Sequence, residues 1–459
     1  MRWNDPRTIA LSIAAKLPAK LPAKPHLLAA AASGLVVTAA LVGSTVGFVG
    51  SPAAHPQPLG VAVIAATRTT TEIGIVAPAT PGPSFVPFTG LLPSQTPQPT
   101  VVPTPAPVKK AQAVTKPKTV SRPHHTVSKP RPRAVAGIHV PSSINSSGSA
   151  DASAALNAFI RSVPNGSTIV FKAGGVYRLN HGIVLDNRHN LVFEGNGSTL
   201  KAVGSGSAVT DSPFDLRSGD SGITIRNFTL LGDNPTAGTS AAFHGGAENQ
   251  IGVTMYGARS VNINHVTISG TYGDCVYVGM SSGNVWTDGV SFTSSTCERS
   301  GRSGIAIVAG SHVTVSGVRF TALAMHVLNI EPDYASGGGT YITFRNNSVG
   351  TYSLSRQYSG YFFAADGAPG SNVHNVTVTG NHVSGNRAGY DGTVCGLNTT
   401  VEVSRRAHIV ETNNTATIKA SGPVLLFNHV DGLTVSGNHE PLSNGSLVRV
   451  QDSTSVHVQ

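Results

Sequence analysis

Between residues 274 and 333 the chain spaces side chains able to move protons or grip a sugar at intervals of a few tens of residues. They are Asp274 and Tyr277, then Glu298, Arg299 and Arg302, then His326, Glu331 and Asp333. Cleaving a glycosidic bond needs two carboxyl groups, one to protonate the leaving oxygen and one to activate water or attack. Asp274 and Glu331 are the candidates, with His326 as a proton carrier. Arg299 and Arg302 offer forked donors to a carboxylate, Tyr277 a ring for stacking, and Asp333 an acceptor for hydroxyls. Each also has a plain structural reading. Arg302 can pair with Glu298 or Asp274 on a surface, where such pairs contribute little, and His326 can be a turn residue. No Ser-His-Asp order, phosphate loop or H-E-x-x-H spacing rises above chance, so no metal or cofactor is expected. Calcium has no supporting acid cluster.

These residues converge only if the chain stacks on itself. The phrases CVYV, GIAI and LNI read as strands. Alternation turns Val276, Val278, Ile305, Ile307, Leu328 and Ile330 inward, and Tyr277, Ala306, Asn329 and Glu331 outward. A similar phrase recurs as LVFEGN at Leu191, ITIRNF at Ile223, VNINHV at Val261, VWTDGV at Val285 and VTVSGV at Val313. It returns as ITFRNN at Ile342, VTVTGN at Val376, HIVETN at His408 and LTVSGN at Leu433. The steps run from 24 to 38 residues, which suits short strands joined by variable loops, one coil per repeat. The sixth position of the last four phrases is Asn347, Asn381, Asn413 and Asn438. A column of amides along a stack of coils is expected there. Residues 149–163 read as a helix with Leu156, Phe159 and Ile160 on one face, capped by Asp151 or Ser153 and placed to close the open end of the stack.

This combination resembles the right-handed parallel β-helix proteins of the pectate-lyase superfold. Asp151, Ala155-Leu156, Ile169, Phe171, Gly174 and Tyr177 follow the order of their N-terminal module. The resemblance covers residues 137–459 and implies an all-β, single-stranded right-handed parallel β-helix. It leaves activity open, since the superfold holds hydrolases, lyases, epimerases and binding proteins. Locally, Tyr272 to Val278, then Cys297, then Gly301 to Ile307, is similar to the polygalacturonase order G-D-D-C-I-x-I, Cys, G-H-G-I-S-I. On that likeness Asp274 matches one acid, while Gly273, Ile251 and Ser303 stand where the other two acids and the histidine would be. Cys275 and Cys297 are about one coil apart, which permits a disulfide in an exported domain and equally two buried thiols.

Ahead of this domain the composition changes. Residues 1–135 carry 14 Lys+Arg against 2 Asp+Glu, and the rest 18 against 20. The basic charge therefore lies outside the folded part, and nucleic acid is not an expected partner. Residues 1–26 form a basic N-terminus expected in the cytoplasm. Residues 27–50 hold no charge and are long enough to span a bilayer as a signal anchor; a cleaved export signal is the alternative. Residues 51–136 are a Pro-rich linker holding 17 of the 29 prolines. Its basic end, 109–133, reads as a solvated charge run or as a contact to an anionic envelope polymer. The C-terminal domain is expected outside the cell, anchored or secreted, with a polysaccharide as partner. Its action there is lytic, hydrolytic or epimerising, or it is a non-catalytic glycan-binding or surface-display solenoid. The sequence sets no oligomeric state.

Overall fold

The computed structural model describes residues 137–204, 206–385, 396–402 and 404–459. The expected basic N-terminus, apolar span and linker lie outside these residues, as does Cys395. Among the described residues no helix is long and apolar enough to cross a membrane.

Two parallel sheets wrap one core. The first has ten strands in strict coil order, including Phe214–Arg217, Val253–Tyr256, Val276–Gly279, Ile305–Ile307, Leu328–Ile330, Phe363–Ala365 and Thr399–Val401. The second has twenty strands. One register column in it runs Ile223, Val261, Val290, Val313, Ile342, Val376, Ile409, Leu433 and Val456. Every member but Val456 is buried. The chain is a parallel β-helix. Each coil hides its apolar side chains against the coils above and below, the burial that drives such a stack.

The column corrects two sequence phrases. At Val285 the expected strand is instead the return arm of a small excursion. Met280 bridges Trp286 in antiparallel fashion around Gly283 and Asn284, both at positive φ. The equivalent strand is Thr287–Thr293, and the residue over Val261 is Val290, five residues beyond Val285. At His408 the phrase is one residue early: Ile409 enters the core, and His408 sits exposed at φ 51°.

The second slip moves the amide column. Asn347 donates to Asn381, Asn381 to Asn414 and Asn414 to Asn438, at 2.8–3.0 Å. Asn414, not Asn413, belongs to it. Asn413 takes the left-handed corner at φ 56°, beside Asn346, Gly380 and Gly437 in the neighbouring coils. Each coil thus needs two residues in order, one that tolerates the corner and one that bonds along the stack. In this repeat both are asparagine.

The helix Ser153–Ser162 covers the N-terminal end with Leu156 and Ile160 buried and Phe159 partly so. Asp151 accepts from the backbone N–H and hydroxyl of Ser153. Arg188 donates to the carbonyls of Ile160 and Val163, fastening the helix end to the next coil.

Candidate functional site

Asp274 ends the bend before Val276–Gly279, Arg302 lies in the bend before Ile305–Ile307, and Glu331 follows Leu328–Ile330. The Arg302 guanidinium joins the carboxyls of the coils on either side of it. One nitrogen is 3.4 Å from Asp274, and the other is 3.0 Å from Glu331. Asp274 also accepts the Ser303 backbone N–H at 2.8 Å. Its side chain is fully buried, whereas Arg302 and Glu331 keep 20% and 24% of their exposure.

Burial raises the Asp274 carboxyl to about 6. Arg302 opposes that rise and Glu331 adds to it. Burial works against charge on Arg302, but Asp274, Glu331 and Glu248 outweigh it and hold the guanidinium firmly charged. Burial also raises Asp333, with Glu331 adding and Arg302 opposing.

Next to this chain of charges two rings meet. Tyr256 and Tyr277 lie on adjacent coils with centroids 5.5 Å apart and planes at 54°. Burial is the main cause raising both phenols, Tyr256 to about 12. Gly279 makes room for the rings, since a Cβ there would stand 2.5 Å from Tyr277. Two coils ahead of Tyr277, Asp215 is fully buried with Arg217 donating to it at 2.8 Å. Burial raises this carboxyl too, against Arg217.

The structure brings Asp274, Arg302, Glu331, Tyr277 and Asp333 together. It does not bring Arg299, whose backbone bonds Gly270 and Thr321 and whose side chain packs beside Gly238. His326 stands in the register column of Asp274, two coils on, with Ser303 between. There its Nδ1 accepts the Tyr361 N–H at 3.1 Å, and its ring stacks on Tyr361. Ala306 and Asn329, turned outward by alternation, are nevertheless buried.

Sequence reasoning missed Tyr256, Asp215, Arg217 and Glu248. The first three sit on strands that no repeated phrase marked. Glu248 belongs to the long loop between Leu231 and Val253. That loop meets the one after Tyr352, where Phe243 and Tyr358 touch edge to face at 4.9 Å over Ala242, Ala324 and Met325. It also explains a departure from the polygalacturonase order. A Cβ on Gly273 would lie 1.9 Å from the Glu248 carbonyl oxygen, so the loop occupies the space an aspartate there would need.

Cys275 and Cys297 are bonded, with Cα atoms 5.9 Å apart. They do not lie one above the other. Cys297 pairs in register with Ile268 and Phe320 of the second sheet, and Cys275 borders the first. The bond therefore crosses the inside of the coil. Among the described residues no group of three or more His, Cys, Asp or Glu is placed to hold a metal ion.

No protein-family profile matches the chain, and no curated protein sequence does. Solved structures similar in shape include the surface adhesin PfbA of Streptococcus pneumoniae, at 10% identity over 70% of this chain and 92% of that one, TM-score 0.41. An exopolygalacturonase from Thermotoga maritima aligns at 10% identity over 68% and 89%, TM-score 0.39. The A-module of a mannuronan C-5 epimerase from Azotobacter vinelandii aligns at 14% over 70% and 96%, TM-score 0.36. The fold assignment rests on the strand register, and these similarities add nothing about activity.

Proposed function

We propose that the outer face of the ten-stranded sheet, over the coils from Asp215 to Asp333, binds a neutral, hydroxyl-rich polysaccharide outside the cell. The observation that carries this reading is the Tyr256–Tyr277 pair set beside a guanidinium held between two carboxyls. Rings present apolar faces to sugar C–H groups, and carboxylates accept hydroxyls. The side chains here are mainly acidic: Asp215, Glu248, Asp274, Glu331 and Asp333 against Arg217 and Arg302. A uronate would meet repulsion on such a face, so a ligand carboxylate gripped by the arginines is the weaker match. With residues 27–50 as a membrane anchor and 51–136 as a stalk, the domain would display this face at the cell surface.

The test is a panel of neutral and uronate-containing polysaccharides titrated against the full-length chain. Binding to a neutral member, at least about tenfold weaker in Tyr277→Ala, is expected. Binding to no neutral member, or binding that Tyr277→Ala leaves unchanged, contradicts the proposal.

One observation favours catalysis as a second reading. A carboxyl at about 6, with a second carboxyl across one guanidinium, has the proton affinity a general acid needs. In that reading Asp274 and Glu331 transfer protons, Arg302 orients them and His326 takes no direct part. Release of reducing ends, or of unsaturated product, that stops in Asp274→Asn would support it. Full activity in that variant would remove Asp274 from the chemistry.

A further inference from the structure

A second charged feature lies four coils beyond Asp274, where the chain leaves Thr399–Val401 and enters Arg406–Thr412. Arg406 is 1% exposed. It donates to the carbonyl oxygens of Ala365, Asp366 and Ser371 and to the Ser371 hydroxyl, at 2.6–3.4 Å. All of these acceptors are neutral. Among the described residues no carboxylate makes an ion pair with it, although the Asp366 carboxylate favours its charge. A buried guanidinium without a direct ion pair is costly to keep, and Asp366 offsets that cost only in part.

Directly beside Arg406 the surface is hollow. The register column here reads His374, Ala407, Asp431. A methyl group between two larger side chains leaves an open cavity of about 440 Å³. Its walls include His374, Asn375, Arg405, His408 and Asp431, with Arg406 at its side. The acid on the rim is already matched, because Asp431 pairs with Arg405 and accepts the Thr454 hydroxyl. The charge at this hollow that lacks a direct ion pair is therefore the positive one on Arg406.

We propose that the hollow beside Arg406 binds an oxyanion, the carboxylate, sulfate or phosphate group of a ligand outside the polysaccharide face. Arg406 supplies the fixed charge, Asn375 and the two imidazoles supply donors, and Ala407 supplies the space. The site is separate from the Asp274 coils and does not rest on their function.

The test titrates the full-length chain with inorganic sulfate, inorganic phosphate and glucuronate, each followed by calorimetry at low and high salt. Saturable one-to-one binding of at least one probe, weakened by salt, is expected. Glucuronate alone would indicate a sugar carboxylate, and the inorganic ions a sulfate or phosphate group. Ala407→Leu fills the hollow from a half-exposed strand position and leaves Arg406 intact. It should weaken binding at least about tenfold with an unchanged melting temperature. If that variant does not fold, His408→Asn on the exposed rim takes its place under the same criterion. Failure of the wild-type chain to bind any of the three probes overturns the proposal. So does binding that the hollow-filling variant leaves intact.

Discussion

The central coils and the C-terminal coils bury charge in different ways. In the central coils Asp274 and Glu331 meet an opposite charge across a coil boundary, through Arg302, and Asp215 meets Arg217 within one strand, while Asp220 is held by the backbone N–H groups of Arg188 and Arg217. Among the described residues of the C-terminal coils the buried amides pair with each other, but the buried charged groups make no ion pair. Arg406 bonds only neutral oxygens. Glu411 points into the core between Val378 and Val435, with the Thr399 hydroxyl on one oxygen and nothing on the other. Glu440 is held by the backbone N–H groups of Gly396 and Leu397. The same scaffold thus fixes charge mainly by ion pairing in one region and by neutralisation or dipoles in the other. Ion pairing leaves a rigid charged face for a ligand. Burial without a partner leaves groups whose state depends on pH or on an added ion.

Breaking the ion-paired region should have the largest effect. Arg302→Ala leaves the buried Asp274 without its cation and should cost about 3 kcal/mol of stability, read by urea unfolding. A loss below about 1 kcal/mol would mean that the pair is a surface ornament. Next comes the amide column. Asn414→Ala removes the partner of Asn381, of Asn438 and of the Val378 carbonyl, and should cost about 2 kcal/mol. Asn413→Gly, one residue earlier at a left-handed corner, should change stability by less than about 0.5 kcal/mol. Reversal of that order would put the wrong asparagine in the stack.

A pH-dependent effect, smaller per pH unit than the losses expected for Arg302→Ala and Asn414→Ala, separates the two regions. Burial raises Glu411 from an ordinary 4.5 to about 8, with the Thr399 hydroxyl opposing. Between those values the unfolded chain has released the proton and the folded chain still holds it. Stability therefore falls as pH rises from about 4.5 to 8, by on the order of 1 kcal/mol per unit at most, and levels off beyond. Glu411→Gln should remove that part of the slope in pH-dependent thermal unfolding. An unchanged slope would mean that Glu411 reaches water or a partner.

Much of the coil pattern was legible in the sequence because the second sheet repeats one short phrase whose apolar residues must face inward. It failed where local chemistry mimicked that phrase. Val285 and Trp286 look like strand residues yet form the return arm of a hairpin. The doubled asparagine at 413–414 hides which member turns the corner. Asp274, Arg302 and Glu331 were legible as a group because they flank strands of matching register. Tyr256 and Asp215 were not, because the coils before Val261 are lengthened by the loop between Leu231 and Val253, and no repeat marks their strands. Arg299 was drawn in by its proximity in sequence to Arg302, but three residues across a bend carry a side chain to another face of the coil.

The claim that matters most is that Asp274, Arg302 and Glu331 act as one unit across three coils. A side-chain NMR titration of Asp274 in the full-length chain tests it directly. The carboxyl should titrate at about 6 and move downward in Glu331→Gln, since Glu331 contributes to the rise. A carboxyl titrating in the ordinary range of about 4, and unmoved by Glu331→Gln, would contradict it.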